Sequence, residues 1–182
     1  MGKRKVSIFL RSIIKLAYWK KRAFHGSNTE SKYFWGDICK EKIKYIRNYT
    51  FNDINTLKID PLMPYIDKSK EQYSNYWFSL SDGHTIEEFN ALLSKENIDK
   101  LEDEGGACIV YTHFASNFVD NQGRLNKDFV KNIKYLSSKN CWFIPASTLL
   151  DYLLSQKQKH YASKMYLMKL DFKWVFDRII KK

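Results

Sequence analysis

Of the four histidines in the chain, His113 is placed where a side chain can do chemistry. It closes the run Gly105-Gly106-Ala107-Cys108-Ile109-Val110-Tyr111-Thr112, in which two glycines release the backbone and a short apolar stretch follows. Such a run reads as a buried strand, so His113 falls at a strand end, ahead of the polar loop Ala115 to Gly123. An imidazole titrates near neutrality and can donate or accept a proton at such an end. Tyr111 and Phe114 flank it and are the candidate substrate-binding rings, since aromatic faces suit sugars as well as cores. A lone strand-end histidine is more often a hydrogen-bonded structural residue.

No metal site emerges beside it. His25, His84, His113 and His160 never fall four apart, so no His-x-x-x-His pair exists, and no strand ends on Asp-Asp. A hydrolytic zinc takes three protein ligands and an open position. The sequence presents no such set, so no metal ligand is assigned and no cofactor is expected in this chain. Cys39, Cys108 and Cys141 contain no Cys-x-x-Cys pair, and Cys108 and Cys141 lie in apolar runs that read as buried, reduced thiols. His84 reads as part of a turn before a helix, His160 as the start of the last helix, and His25 as linker. Trp77 and Trp142 read as core rather than as sugar platforms.

The elements that must position His113 follow from periodicity and punctuation. Lys3 to Phe24 repeats apolar residues at Val6, Phe9, Leu10, Ile13, Ala17 and Trp19 against Arg11, Lys15 and Arg22, an amphipathic basic helix. A polar linker from His25 to Ser31 follows. Trp35 to Asn48 predicts a helix running into a short strand. Tyr49 to Tyr65 is irregular, with Pro61 and Pro64 near its close, and Tyr73 to Ser81 predicts an aromatic strand. Asp82-Gly83 makes a turn, and Thr85 with Glu88 has capping-box spacing for one helix reaching Gly105-Gly106. Asn126 caps a helix carrying Phe129, Ile133 and Leu136. Cys141 to Pro145 predicts a second buried strand, Ser147 a cap for a helix over Thr148–Leu154, and a basic helix runs from about His160 to Ile180. Alternation of this kind implies α/β architecture with parallel strands, whose functional groups gather at the strands' carboxyl ends.

The net charge of +11 is uneven: residues 1–22 contribute +8, residues 157–182 contribute +6, and the centre is −3. Three units follow, namely a basic amphipathic helix over 1–24, a central region over 25–156, and a basic C-terminal helix over 157–182. Basic flanks around an acidic centre point to an anionic surface. Nucleic acid ranks below membrane as a partner, because no nucleic-acid motif accompanies the charge. The apolar stretch Val6 to Trp19 is broken by Arg11 and Lys15 and lacks a small-residue cleavage site, so it reads neither as a secretory signal nor as a membrane span. The expectation is a cytoplasmic protein, peripheral at the membrane inner face.

The words Gly105 to Ala115 and Leu125 to Leu153, with Trp142-Phe143-Ile144-Pro145 opening a helix, resemble the C-terminal part of the polysaccharide deacetylase family (the NodB-homology domain). Upstream, Tyr33 to Ile38, Arg47 to Thr56, Met63-Pro64-Tyr65 and Tyr76 to Ser79 are similar to the linking region of its bacterial surface-polysaccharide branch. The resemblance spans roughly Tyr33 to Leu154. It implies a partial or degenerate (β/α) barrel of the polysaccharide deacetylase type, with basic helices at both termini. It also implies a hydrolase-like chain of carbohydrate metabolism, whose ligand is a polysaccharide or sugar precursor.

In that family an Asp-Asp strand end and a His-x-x-x-His word hold a divalent metal such as zinc and the general base, and a late strand-end histidine is the general acid. His113 matches the last motif, with Thr112 where leucine is usual. The Asp-Asp and His-x-x-x-His motifs are absent, which implies a chain lacking the metal-binding catalytic half and inactive alone. A dimer or a complementing N-terminal half would then complete it. The alternative is a non-catalytic accessory protein of polysaccharide assembly, held at the membrane surface by its basic helices.

Overall fold

A computed structural model describes residues 26, 28–158 and 160–180; the basic helix expected over 1–24 lies outside them. Three parallel strands form one sheet in sequence order, β1 (Tyr45–Phe51), β2 (Tyr76–Asp82) and β3 (Val110–Tyr111). β1 and β2 are rich in aromatic and β-branched residues, which favour pleated, half-buried surfaces. Helices precede, connect and follow the strands: α1 (Gly36–Lys42) ahead of β1, α2 (Thr56–Ile59) between β1 and β2, α3 (Ile86–Leu92) and α4 (Lys95–Asp103) between β2 and β3, then α5 (Lys127–Ser137), α6 (Ala146–Ser155) and α7 (Lys164–Ile180). The result is a mixed α/β fold with a parallel sheet. Among the described residues the sheet is open, with β1 and β3 as its edges.

Local signals set several boundaries. Asp37 opens α1 and Lys40 and Lys42 close it, matching the helix dipole. Thr85 and Glu88 complete the capping box of α3, and Asn126 caps α5 by accepting from the Phe129 N–H at 3.0 Å. The single helix expected from Thr85 to Gly105 is instead two, broken at Leu93–Ser94. Leu92, Leu93 and Ile98 are all buried, yet on one straight helix they would point to widely different sides. The chain breaks so that all three reach the same cluster, and the Ser94 side chain caps the new helix by accepting from Asn97 N.

Three further expectations are corrected. Cys141 to Pro145 is no buried strand: it joins no ladder, and Cys141, Trp142 and Phe143 are exposed, Trp142 standing edge-on to Tyr152 at 5.4 Å. A short apolar run does not by itself distinguish burial from exposure. α6 starts at Ala146 behind Pro145 with no side-chain cap, so Ser147 does not cap it. α7 starts at Lys164 rather than near His160, because Ile66 captures 160–162 first: its N–H donates to the His160 carbonyl and its carbonyl accepts from Ala162 N.

Two apolar clusters hold the fold. One joins the sheet to α6 and α7 through Phe51, Tyr65, Leu80, Ile109, Leu150, Leu153 and Leu170. The other packs α3, α4 and α5 around Phe118, with Phe89 and Phe129 edge-on or tilted against it and each other at 5.2–5.4 Å. Between the strands and α2 lies a polar seam. The Thr56 and Ser81 hydroxyls are 2.7 Å apart, Thr56 Oγ1 accepts from Ile109 N at 3.0 Å, and Ser79 donates to the buried Asp60 at 2.6 Å. This seam explains why β3 is shorter than its apolar run: the Ile109 N–H is taken by a side chain before a ladder can use it.

Candidate functional site

Parallel pairing brings the carboxyl ends of β2 and β3 to one edge, with Ser81 opposite Val110 and Asp82 opposite Tyr111. Each strand releases a histidine just beyond its end, His84 after β2 and His113 after β3. The two turns are stitched together: Gly83 N donates to the Tyr111 carbonyl at 2.9 Å, and His113 N donates to the His84 carbonyl at 3.3 Å. A Cβ on Gly83 would lie 3.1 Å from Phe89 Cα of α3, a tight approach that glycine relieves.

His113 is exposed at this edge. Its Nε2 lies 2.6 Å from the Tyr111 hydroxyl, and the two rings meet edge to face at 4.9 Å. Arg47, from β1, places its guanidinium 4.5 Å from the centroid of the Tyr111 ring. Arg47 of β1 thus meets Tyr111, and the turn after β2 meets His113 through the His84 carbonyl. Phe114 is exposed and rests edge-on against buried Phe118 at 5.1 Å. Tyr111 is thus committed to His113, while the Phe114 ring is exposed.

The residue between Tyr111 and His113 is unusual in another way: the Thr112 hydroxyl oxygen is buried and has no hydrogen-bond partner among the described residues. The loop beyond is fastened by Asp120, which accepts from the N–H groups of Gln122 and Arg124 and from Arg124 Nε, at 2.8–2.9 Å. These bonds from Arg124 hold the Asp120 carboxyl below its ordinary range. The loop lines a surface hollow with Asn117, Asp120, Arg124 and Asn126.

A second group at the same edge was not singled out from sequence. Asp82 ends β2 with its side chain almost wholly buried. His84 Nδ1 lies 3.3 Å from Asp82 Oδ1 and pairs with Glu88 on α3. Arg178, from α7, reaches Asp82 Oδ2 at 3.0 Å and donates to Thr50 Oγ1 at 2.5 Å. The spacing Asp82-x-His84-x-x-x-Glu88 was visible as an acid at a strand end and a His–Glu pair four apart across a helix start. Nothing local announces Arg178 or Arg47, which arrive from distant elements.

Asp82, His84 and Glu88 each bring a ligand atom within 4.8 Å of the others. Three donors match the count that a hydrolytic divalent metal needs. Their commitments do not match it: one atom, Nδ1, faces both carboxylates, a guanidinium holds Asp82, and Glu88 also accepts from Thr85 N in the capping box. A guanidinium cation against a would-be ligand opposes a second cation there. The group as folded is a salt-bridged clasp, and it does not fit the metal of the deacetylase family.

The cysteines are free, with Cys39 buried, Cys108 half-buried and Cys141 exposed, so a buried thiol at 141 is corrected. Burial pushes the Cys108 thiol up to about 11, against the opposing hydroxyls of Ser81 and Thr56. A thiol raised in this way keeps its proton near neutral pH, as packed cysteines do. Trp77 is half-buried against the first cluster, with Nε1 donating to Ser74 Oγ at 3.0 Å. Trp142 is exposed, contrary to expectation.

No family model, curated protein or solved structure matches the chain.

Proposed function

We propose that this chain is the late section of a polysaccharide deacetylase-like protein of surface-carbohydrate metabolism, built on a sector of a (β/α) barrel and inactive alone. The observation that supports it is the exposed His113 at the carboxyl edge of a parallel sheet, held by the Tyr111 hydroxyl. In this role His113 gives a proton to the departing amine or alkoxide of an acetylated sugar, and Tyr111 fixes the imidazole for that transfer. Phe114 offers an apolar face to the sugar ring. The family's metal would supply an activated water; because Asp82, His84 and Glu88 do not fit it, its ligands would have to come from a complementing section.

The test has two arms. The chain, supplied with zinc, is offered an N-acetylated chito-oligosaccharide while acetate release and backbone amide shifts are followed. The expected result is no acetate, with saccharide-dependent shifts at Tyr111, His113 and Phe114 that vanish in Phe114→Ala. Shifts confined to other surfaces overturn the site. Acetate release that survives His113→Ala overturns both the inactivity and the assigned acid.

A further inference from the structure

α7 has two unlike sides. Its inward side carries Leu170, Tyr166, Leu167 and Trp174 into the first cluster. Both of its acids are also spent inward: Asp171 accepts from the Tyr49 hydroxyl at 2.6 Å, and Asp177 is buried and accepts from Asn52 N at 3.0 Å. Its outward side presents Met165, Met168, Phe172, Phe176 and Ile179, with Met165 75% and Phe172 68% exposed. Spacings of three and four place these five on one stripe. The other exposed side chains on this helix are Lys164 and Lys169, with Lys173 at 36%. The outer face is therefore apolar and cationic, with no acid on it.

We propose that the outer face of α7 docks on the surface of an anionic phospholipid bilayer, with the helix lying in the interface plane. Phe172, Phe176 and the methionines reach the acyl boundary, while Lys164 and Lys169 lie at the level of the lipid phosphates. A second copy of the same face offers no acid to pair with Lys164 and Lys169, whereas lipid phosphates do, so charge complementarity favours the bilayer over self-association. Among the described residues no helix is long and apolar enough to cross a membrane, so the contact is one-sided. Because Arg178 on α7 holds Asp82, docking carries the sheet edge to the membrane with the helix. The inference does not depend on the carbohydrate reading.

The experiment is co-sedimentation of the full chain with mixed phosphatidylcholine–phosphatidylglycerol vesicles and with pure phosphatidylcholine, at low and high salt. Light scattering and thermal melting of each variant run alongside. The expected result is binding to the anionic vesicles that falls roughly tenfold or more in Phe172→Glu/Phe176→Glu, with melting unchanged. Binding also weakens in Lys164→Gln/Lys169→Gln and at high salt. Three results overturn the proposal: no binding to anionic vesicles, binding untouched by the phenylalanine changes, or a dimer that those changes dissociate in a chain that ignores lipid.

Discussion

Thr→Val at positions 56 and 112 is one chemical change with opposite expected signs. Thr56 is 1% exposed, and its hydroxyl accepts from Ile109 N at 3.0 Å while lying 2.7 Å from Ser81 Oγ. Valine keeps the shape and removes both bonds, stranding a buried backbone N–H at about 1–3 kcal/mol. Ser81 retains the Ile54 carbonyl at 3.3 Å, so its loss adds only about 0.5–1 kcal/mol. Thr56→Val should therefore destabilise by about 1.5–4 kcal/mol. At Thr112 the hydroxyl oxygen is buried without a partner, so Thr112→Val removes a desolvated polar group and should stabilise by about 0.5–2 kcal/mol. Urea unfolding of both variants measures the difference directly. In melting terms each kcal/mol moves a chain of this size by about 2–4 °C. Amide exchange should also quicken at Ile109 and Tyr111 in Thr56→Val, because that bond leads into β3. Shifts of the same sign for the two variants would refute the accounting of bonds along this seam.

Arg178→Met should cost about 1–3 kcal/mol by urea unfolding. It takes the guanidinium away from the buried Asp82 carboxylate and leaves it the longer His84 contact at 3.3 Å, and the larger cost of breaking a fully buried pair is reduced because the arginine is 37% exposed. Arg178→Lys should recover only part of that, since a point charge cannot serve Asp82 and Thr50 together. Burial pushes the Asp60 carboxyl above its ordinary 3.8, partly offset by the Ser79 and Tyr166 hydroxyls. The folded state thus keeps a proton that the unfolded chain releases, so this carboxyl's contribution to stability falls as pH rises from near 4 through the raised value. Carboxyls held low, such as Asp120 and Asp99, give the opposite slope, so the fall is read as the difference between wild-type and Asp60→Asn urea midpoints across that range; identical pH slopes would remove Asp60 as a source. Gly106→Ala would place its Cβ 2.2 Å from Asn55 Nδ2, against the side chain that caps α2 and donates to Glu104 at 2.8 Å. The expected loss is about 1–3 kcal/mol in thermal melts.

Local chemistry was legible wherever it acted over a few residues. The Thr85–Glu88 box and the Asn126 cap are written in side-chain type and spacing, and both form. The alternation of elements predicted parallel strands, and the glycine-led run placed His113 just beyond a carboxyl end. What was not legible depended on partners far along the chain. The length of β3 is set by Thr56, the start of α7 by Ile66, and the surroundings of Tyr111 by Arg47. Cys141 to Phe143 looked buried because apolar content was the only cue, and the neighbouring elements leave that segment outside. The Asp82–His84–Glu88 clasp was half legible: the spacing was present, but the residue that fixes its character is Arg178.

The inward bonds of α7 also set an order on folding. Tyr49–Asp171, Asn52–Asp177 and Thr50–Arg178 join residues 122, 125 and 128 positions apart. β1 and β2, by contrast, meet across little more than thirty residues, Tyr45 opposite Tyr76. Closing the longer loop costs about 1 kcal/mol more in chain entropy than closing the shorter one. The sheet is therefore expected to assemble strand by strand while Phe51 and its neighbours still lack their last helix. During that interval the nascent sheet is a sticky species, and its lifetime is governed by how fast α7 arrives.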